Sequence, residues 1–104
     1  MELKDRIRGY LPVVVDIETS GFNDKTDAIL EICAIILGMD TEGSFYPKST
    51  LHYHVKPFQG ANIEPSAIKF NGIEINNPFR LAVTEKKALT EIFERINENL
   101  KVED

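Results

Sequence analysis

The chain has no tryptophan, a single cysteine and no surplus of positive charge. With only Cys33, an internal disulfide is excluded and a reducing, cytoplasmic setting is expected. Because Cys33 sits in an apolar run, it is expected in the core. Twelve Lys and Arg stand against 17 Asp and Glu, a net charge of −5. A protein that binds nucleic acid by bulk charge would be basic, so any such binding here has to be local or metal-assisted. No run approaches the ~20 apolar residues of a membrane span. The charged stretch at residues 1–8 lacks the apolar centre of a signal peptide. Internal repeats, low-complexity tracts and linkers are also missing. The 104 residues, 42% of them hydrophobic, are expected to form one domain, 1–104, with a thin stability margin.

The pattern along the chain predicts an α/β arrangement. Residues 3–8 can form a short helix that Gly9 ends. Residues 12–18 read as a strand, since Val13-Val14-Val15 is a β-branched run. Such a run suits a strand covered on both faces. Residues 19–27 are polar, contain Gly21 and read as a loop. A longer apolar strand is expected at 28–39, a hairpin turn at 40–44 around Gly43, and a third, antiparallel strand at 50–56. A short helix follows at 64–70, with Pro65 in its first turn and Gly72 to stop it. Asn76-Asn77-Pro78 is a turn. A last helix at 84–100 carries Leu89, Ile92, Phe93, Ile96 and Leu100 at helical spacing. A three-stranded antiparallel meander followed by helices is the opening half of a mixed α/β sheet.

Asp16 and Glu18 carry the chemistry. Two apart on a strand, they point to the same face. Ionised carboxylates at the end of a β-branched run are costly to bury without partners, and a divalent cation is a natural one. Mg²⁺ takes one or two carboxylates together with water and substrate phosphate. Two such ions, ~3.5–4 Å apart, activate a water and stabilise the leaving oxygen of a phosphodiester. Asp16 is expected to bridge both ions and Glu18 to hold one. The plain alternative is a strand end that meets water, and an isolated Asp-x-Glu does not decide between them.

The residues around the pair do. Val13-Val14-Val15-Asp16-Ile17-Glu18-Thr19-Ser20-Gly21-Phe22 resembles the first motif of the DEDD exonucleases, the family that includes the proofreading subunits of DNA polymerases. Ala28-Ile29-Leu30-Glu31-Ile32-Cys33-Ala34 is similar to that family's second strand. Three further segments resemble its ribonuclease T branch: Phe22-Asn23-Asp24-Lys25-Thr26-Asp27, Leu51-His52-Tyr53-His54-Val55 with Pro57-Phe58, and Phe70-Asn71-Gly72-Ile73. The resemblance runs over residues 6–93.

It implies the N-terminal half of an RNase H-like fold and metal-dependent removal of nucleotides from RNA or single-stranded DNA 3′ ends. It also implies two Mg²⁺ ions, for which Mn²⁺ substitutes, and a homodimer that trims tRNA and other stable RNAs. Asp16 and Glu18 become the catalytic metal ligands. Phe22 and Phe70 become stacking platforms for terminal bases, with core packing as the alternative. Arg6 and Arg8 match a basic segment that grips RNA and serves the partner subunit's site; otherwise they are a solvated helix end. Ser66 stands where ribonuclease T usually has a base-pocket glutamate. Glu31, inside an apolar strand, needs donors if buried. It is expected to stand behind the ligands with Thr19, bracing the loop at 19–21, unless it is an exposed pleat position. His52 and His54 share a strand face, but zinc needs three or four ligands and neither a second Cys nor a third His is present. They are read as surface or structural residues.

The family's third carboxylate lies in an Asn-x-x-Phe-Asp-like motif, and its fourth comes five residues after a general-base histidine. Neither pattern occurs; five residues after His54 is Gln59. The expectation is a truncated exonuclease domain, inactive alone. The competing readings are a non-catalytic RNA-binding or dimerisation module and a half-enzyme completed by a second chain.

Overall fold

The computed structural model describes the backbone of residues 11–103 and the side chains of residues 11–100. The expected helix at 3–8, and with it Arg6 and Arg8, lies outside the described residues. Three strands, β1 (Val13–Thr19), β2 (Ile29–Met39) and β3 (Phe45–His54), form an antiparallel sheet in the order β1-β2-β3. Two helices follow, α1 (Pro65–Asn71) and α2 (Glu85–Glu103), with a short 3-10 turn at Pro78–Arg80 between them. The α/β class and the meander expected from the sequence are both present. No helix among the described residues is long and apolar enough to cross a membrane.

Strict alternation organises β2. Leu30, Ile32, Ala34 and Ile36 are buried on one face, and Glu31, Cys33 and Ile35 are half-buried on the other. The first set packs with Leu51, Val55, Ala88 and Ile92 to make the core, so α2 covers one side of the sheet. Cys33 therefore does not join the core as expected. It is on the opposite face, beside Asp16 and His52 in the pairing register.

β3 begins five residues earlier than its sequence suggests. The Asp40 carboxylate accepts from the backbone N–H of Glu42 and Ser44, and Gly43 takes φ 84°. The turn thus closes tightly and pairing starts at once. Pro47 is tolerated because β3 is an edge strand among the described residues. A register shift between Ile36 and Leu37 takes up the extra residue at Lys48.

Both helices have clear ends. Gly72 caps α1 in the left-handed conformation, φ 70°, and its N–H reaches the Ile68 carbonyl. Thr84 Oγ1 accepts from Lys87 N at 3.1 Å and caps the start of α2.

Candidate active site

Asp16 lies opposite Cys33, and Glu18 opposite Glu31. Residues directly opposite in an antiparallel pair share a face, so both carboxylates point away from α2. Asp16 is exposed and Glu18 half-buried. Neither makes a hydrogen bond or ion pair among the described residues. Two acidic side chains thus share the open face of an edge strand with no cation of the described chain beside them.

Immediately after Glu18 the register shifts: Thr19 pairs with Ile29, leaving Leu30 as a bulge. Bulges often sit beside functional sites because they re-aim the chain. The carbonyl of Leu30 accepts from Val55 N at 2.8 Å and from Arg80 Nη2 at 2.7 Å. Arg80 also donates to the carbonyls of Val55 and Ile75. Its guanidinium pKa is lowered by burial, an effect that the nearby Glu31 partly offsets.

The turn beyond β1 is tied down by short polar side chains. Thr19 Oγ1 donates to the Gly21 carbonyl at 2.7 Å. Ser20 is fully buried. Its hydroxyl donates to the Asn62 carbonyl and accepts from Ala28 N, both at 2.7 Å. Asn71 Nδ2 donates to the Thr19 carbonyl, linking α1 to the end of β1. A Cβ on Gly21 would collide with the Asp27 carboxylate, which would have to leave its present position.

This packing opens a cavity of about 340 Å³ lined by Glu18, Thr19, Phe22, Ser66 and Phe70 among others. Phe22 is 103% exposed and Phe70 91%. Among the described residues neither ring is packed into the core. Phe22 also borders a second hollow of about 460 Å³ toward Asp24 and Phe58.

Glu31 departs from expectation. It does not brace the loop at 19–21. Its Oε2 is 3.0 Å from His52 Nε2 and 3.4 Å from His54 Nδ1. The cause is register, which places His54 directly opposite Glu31 and His52 two pairs along, on the same face.

With this geometry established, comparison with known proteins is direct. A family model described as "Exonuclease" matches residues 13–103. The chain belongs to this exonuclease family. Ribonuclease T of Vibrio vulnificus (strain YJ016) is 55% identical over 105 residues, covering 100% of the chain and 48% of that protein. Ribonuclease T of Shewanella sp. (strain W3-18-1) is 53% identical over 103 residues, covering 99% and 46%. The chain spans about half the length of the curated relatives it matches. As an exonuclease-family chain it is a partial one, and the family is generally divalent-metal dependent.

The sequence reading missed Ser20, Asn62, Arg80 and the third neighbour of the histidine pair. A serine buried in a polar loop has no local signature. Arg80 could have been suspected, since it follows an Asn-Pro turn as a lone cation near an apolar strand.

Proposed function

We propose that this chain is the N-terminal half of a ribonuclease T-like 3′→5′ exoribonuclease acting on the 3′ ends of tRNA and other RNAs, with single-stranded DNA as a further substrate. The observation that carries this reading is one cavity shared by Glu18 and two fully presented aromatic rings. Unpaired bases stack on aromatic faces irrespective of sequence, and a carboxylate at the same cavity stands where a terminal phosphodiester would lie.

Asp16 and Glu18 present only oxygen atoms, on one face and without competing ion pairs among the described residues. That donor set fits Mg²⁺, with Mn²⁺ as substitute. Two bound ions would supply a water activated for attack and compensation for the charge on the leaving oxygen. The chain's own residues do the rest. Asp16 and Glu18 would hold the metal, Phe22 and Phe70 clamp the terminal bases, and Thr19 fixes the turn between Glu18 and Phe22. Ser66 lines the clamp, so a small hydroxyl reads the terminal base where ribonuclease T usually offers a carboxylate. Arg6 and Arg8 add charge for the RNA backbone and serve the partner subunit's site in a homodimer. Two of the four carboxylates and the general base are not supplied by these 104 residues, so the chain alone is inactive; removing members of a catalytic unit costs orders of magnitude in rate.

A 3′-labelled RNA incubated with the chain and Mg²⁺ should stay intact. Trimming that disappears in Asp16→Ala would overturn the inactivity of the isolated half. Binding tests the site itself. Fluorescence anisotropy of a 3′-hydroxyl oligonucleotide should show each of Phe22→Ala and Phe70→Ala weakening binding by about 5- to 150-fold, the equivalent of ~1–3 kcal/mol per stacked base. Unchanged binding in both variants would remove the proposed clamp.

A further inference from the structure

Outside the candidate active site, one cluster brings three potential metal-binding side chains together. Glu31 on β2 and His52 and His54 on β3 each offer a ligand atom, and the three atoms lie within 4.8 Å of one another. Among the described residues no other group of three or more His, Cys, Asp or Glu does so. Sequence spacing supplied only the histidine pair. Strand pairing adds the carboxylate, since Glu31 lies opposite His54.

The distances suit a tetrahedral ion. Ligands held ~2.0–2.1 Å from zinc stand about 3.3 Å apart. Glu31 Oε2 is 3.0 Å from His52 Nε2 and 3.4 Å from His54 Nδ1. The rings do not stack; their planes are inclined at 59° with centroids 5.2 Å apart. The two imidazoles are thus tilted around one carboxylate oxygen, which His52 Nε2 meets at hydrogen-bond distance.

A second observation points the same way. Nδ1 of His54 is buried and has no hydrogen-bond partner among the described residues. It lies within ion-pair distance of Glu31 but outside hydrogen-bonding geometry. A buried polar atom without a partner is costly. If Nδ1 carries the lone pair, it faces the lone pairs of a carboxylate, and a cation between them converts that repulsion into two bonds.

We propose that Glu31, His52 and His54 form a metal site for a zinc-class transition-metal ion, separate from Asp16 and Glu18. Two imidazoles and one carboxylate are a zinc-type donor set, whereas Mg²⁺ prefers oxygen alone. Three protein ligands leave a fourth position to water. The ion clasps β3 to β2 and neutralises Glu31, the residue directly across the sheet from Glu18. This proposal is independent of the exonuclease reading.

Calorimetric titration of the 104-residue chain with ZnCl₂ alone should show one ion bound. His52→Ala, His54→Ala and Glu31→Gln should each weaken binding at least tenfold, since loss of a supporting partner alone costs 10- to 100-fold. The double variant Asp16→Asn, Glu18→Gln should still bind one Zn²⁺ ion, and excess Mg²⁺ should not displace it. Nitrogen-15 spectra of the wild-type imidazoles need no variant to fold: Zn²⁺ should shift Nε2 of His52 and Nδ1 of His54 together, in one-to-one proportion. Failure to bind Zn²⁺, shifts confined to one ring, or binding abolished by the Asp16 and Glu18 changes would overturn the proposal.

Discussion

Asp27 anchors the turn that presents Phe22. Its Oδ2 accepts from Asn23 N at 2.9 Å, and its Oδ1 accepts from Asn62 Nδ2 at 3.0 Å and Thr26 Oγ1 at 2.9 Å. These bonds favour the ionised form, the Asn23 amide most strongly, and hold the pKa below the ordinary value of 3.8. A carboxylate with a depressed folded pKa contributes stability above its unfolded pKa and loses it as pH falls through the folded one. The contribution of Asp27 is thus present above about pH 3.8 and is lost progressively as pH falls from there through the lowered folded pKa. Urea midpoints measured from pH 6 down should fall more steeply for the wild type than for Asp27→Asn, and the two should converge in acid. Parallel curves would remove Asp27 from the acid response. The same residues show what a sequence conveys at this scale. The positions of Asp16, Glu18 and Phe22 follow locally from a strand and the polar turn after it, and that of Phe70 from a short helix that Gly72 ends. Glu31, Cys33 and Ser20 were not, because their neighbours come from strand register and a bulge that only the folded sheet sets.

Among the elements, α2 carries the sharpest contrast between pattern and packing. Its spacing singled out Leu89, Ile92, Phe93, Ile96 and Leu100. In the fold Ala88 and Ile92 are buried against the sheet, Leu89 and Ile96 are partly buried, and Phe93 and Leu100 are exposed. The small side chain of Ala88 lets the helix approach, and the contact stripe is turned toward it and away from Phe93. A three-stranded sheet is too narrow to cover the whole apolar arc of a helix, and periodicity cannot tell which part is left out. Tyr53 on β3 fastens the same helix by donating to the Glu91 carboxylate, an interaction that raises the tyrosine's pKa. Ile92→Ala should therefore cost about 2–5 kcal/mol, the usual range for truncating a buried aliphatic. Phe93→Ala should stay within ~0.5 kcal/mol, as exposed substitutions do. Equilibrium unfolding followed by circular dichroism distinguishes the two. Equal losses would mean that the buried stripe has been assigned to the wrong face.

For the whole molecule, the decisive feature is the side of β1 that no other described strand pairs. The described chain is elongated, with a radius of gyration of 16.3 Å against ~13 Å for a compact chain of this length. Among the described residues β1 pairs only with β2. Val14, Val15 and Ile17 on β1 are 52%, 50% and 45% exposed, and no proline or lysine guards the strand between Val13 and Ser20. A β-branched edge with open backbone groups is a template for another strand. The simplest occupant is a second copy of the chain, because two β1 strands related by a two-fold axis pair antiparallel and present the same patch to each other. Charge narrows the register. Centring the pair on Asp16 sets the two Asp16 carboxylates face to face, and directly opposed like charges are destabilising. Centring it on Val15 sets Asp16 against Val14 of the copy and Val13 against Ile17, which matches apolar residues and separates the acids. In that register Val14→Glu brings a carboxylate against Asp16 twice, once in each half of the dimer. Sedimentation equilibrium should show the wild-type chain associating as concentration rises, and Val14→Glu shifting it toward monomer while its circular dichroism spectrum holds. A wild-type chain that stays monomeric, with no response to Val14→Glu, would mean that this edge is not an association surface.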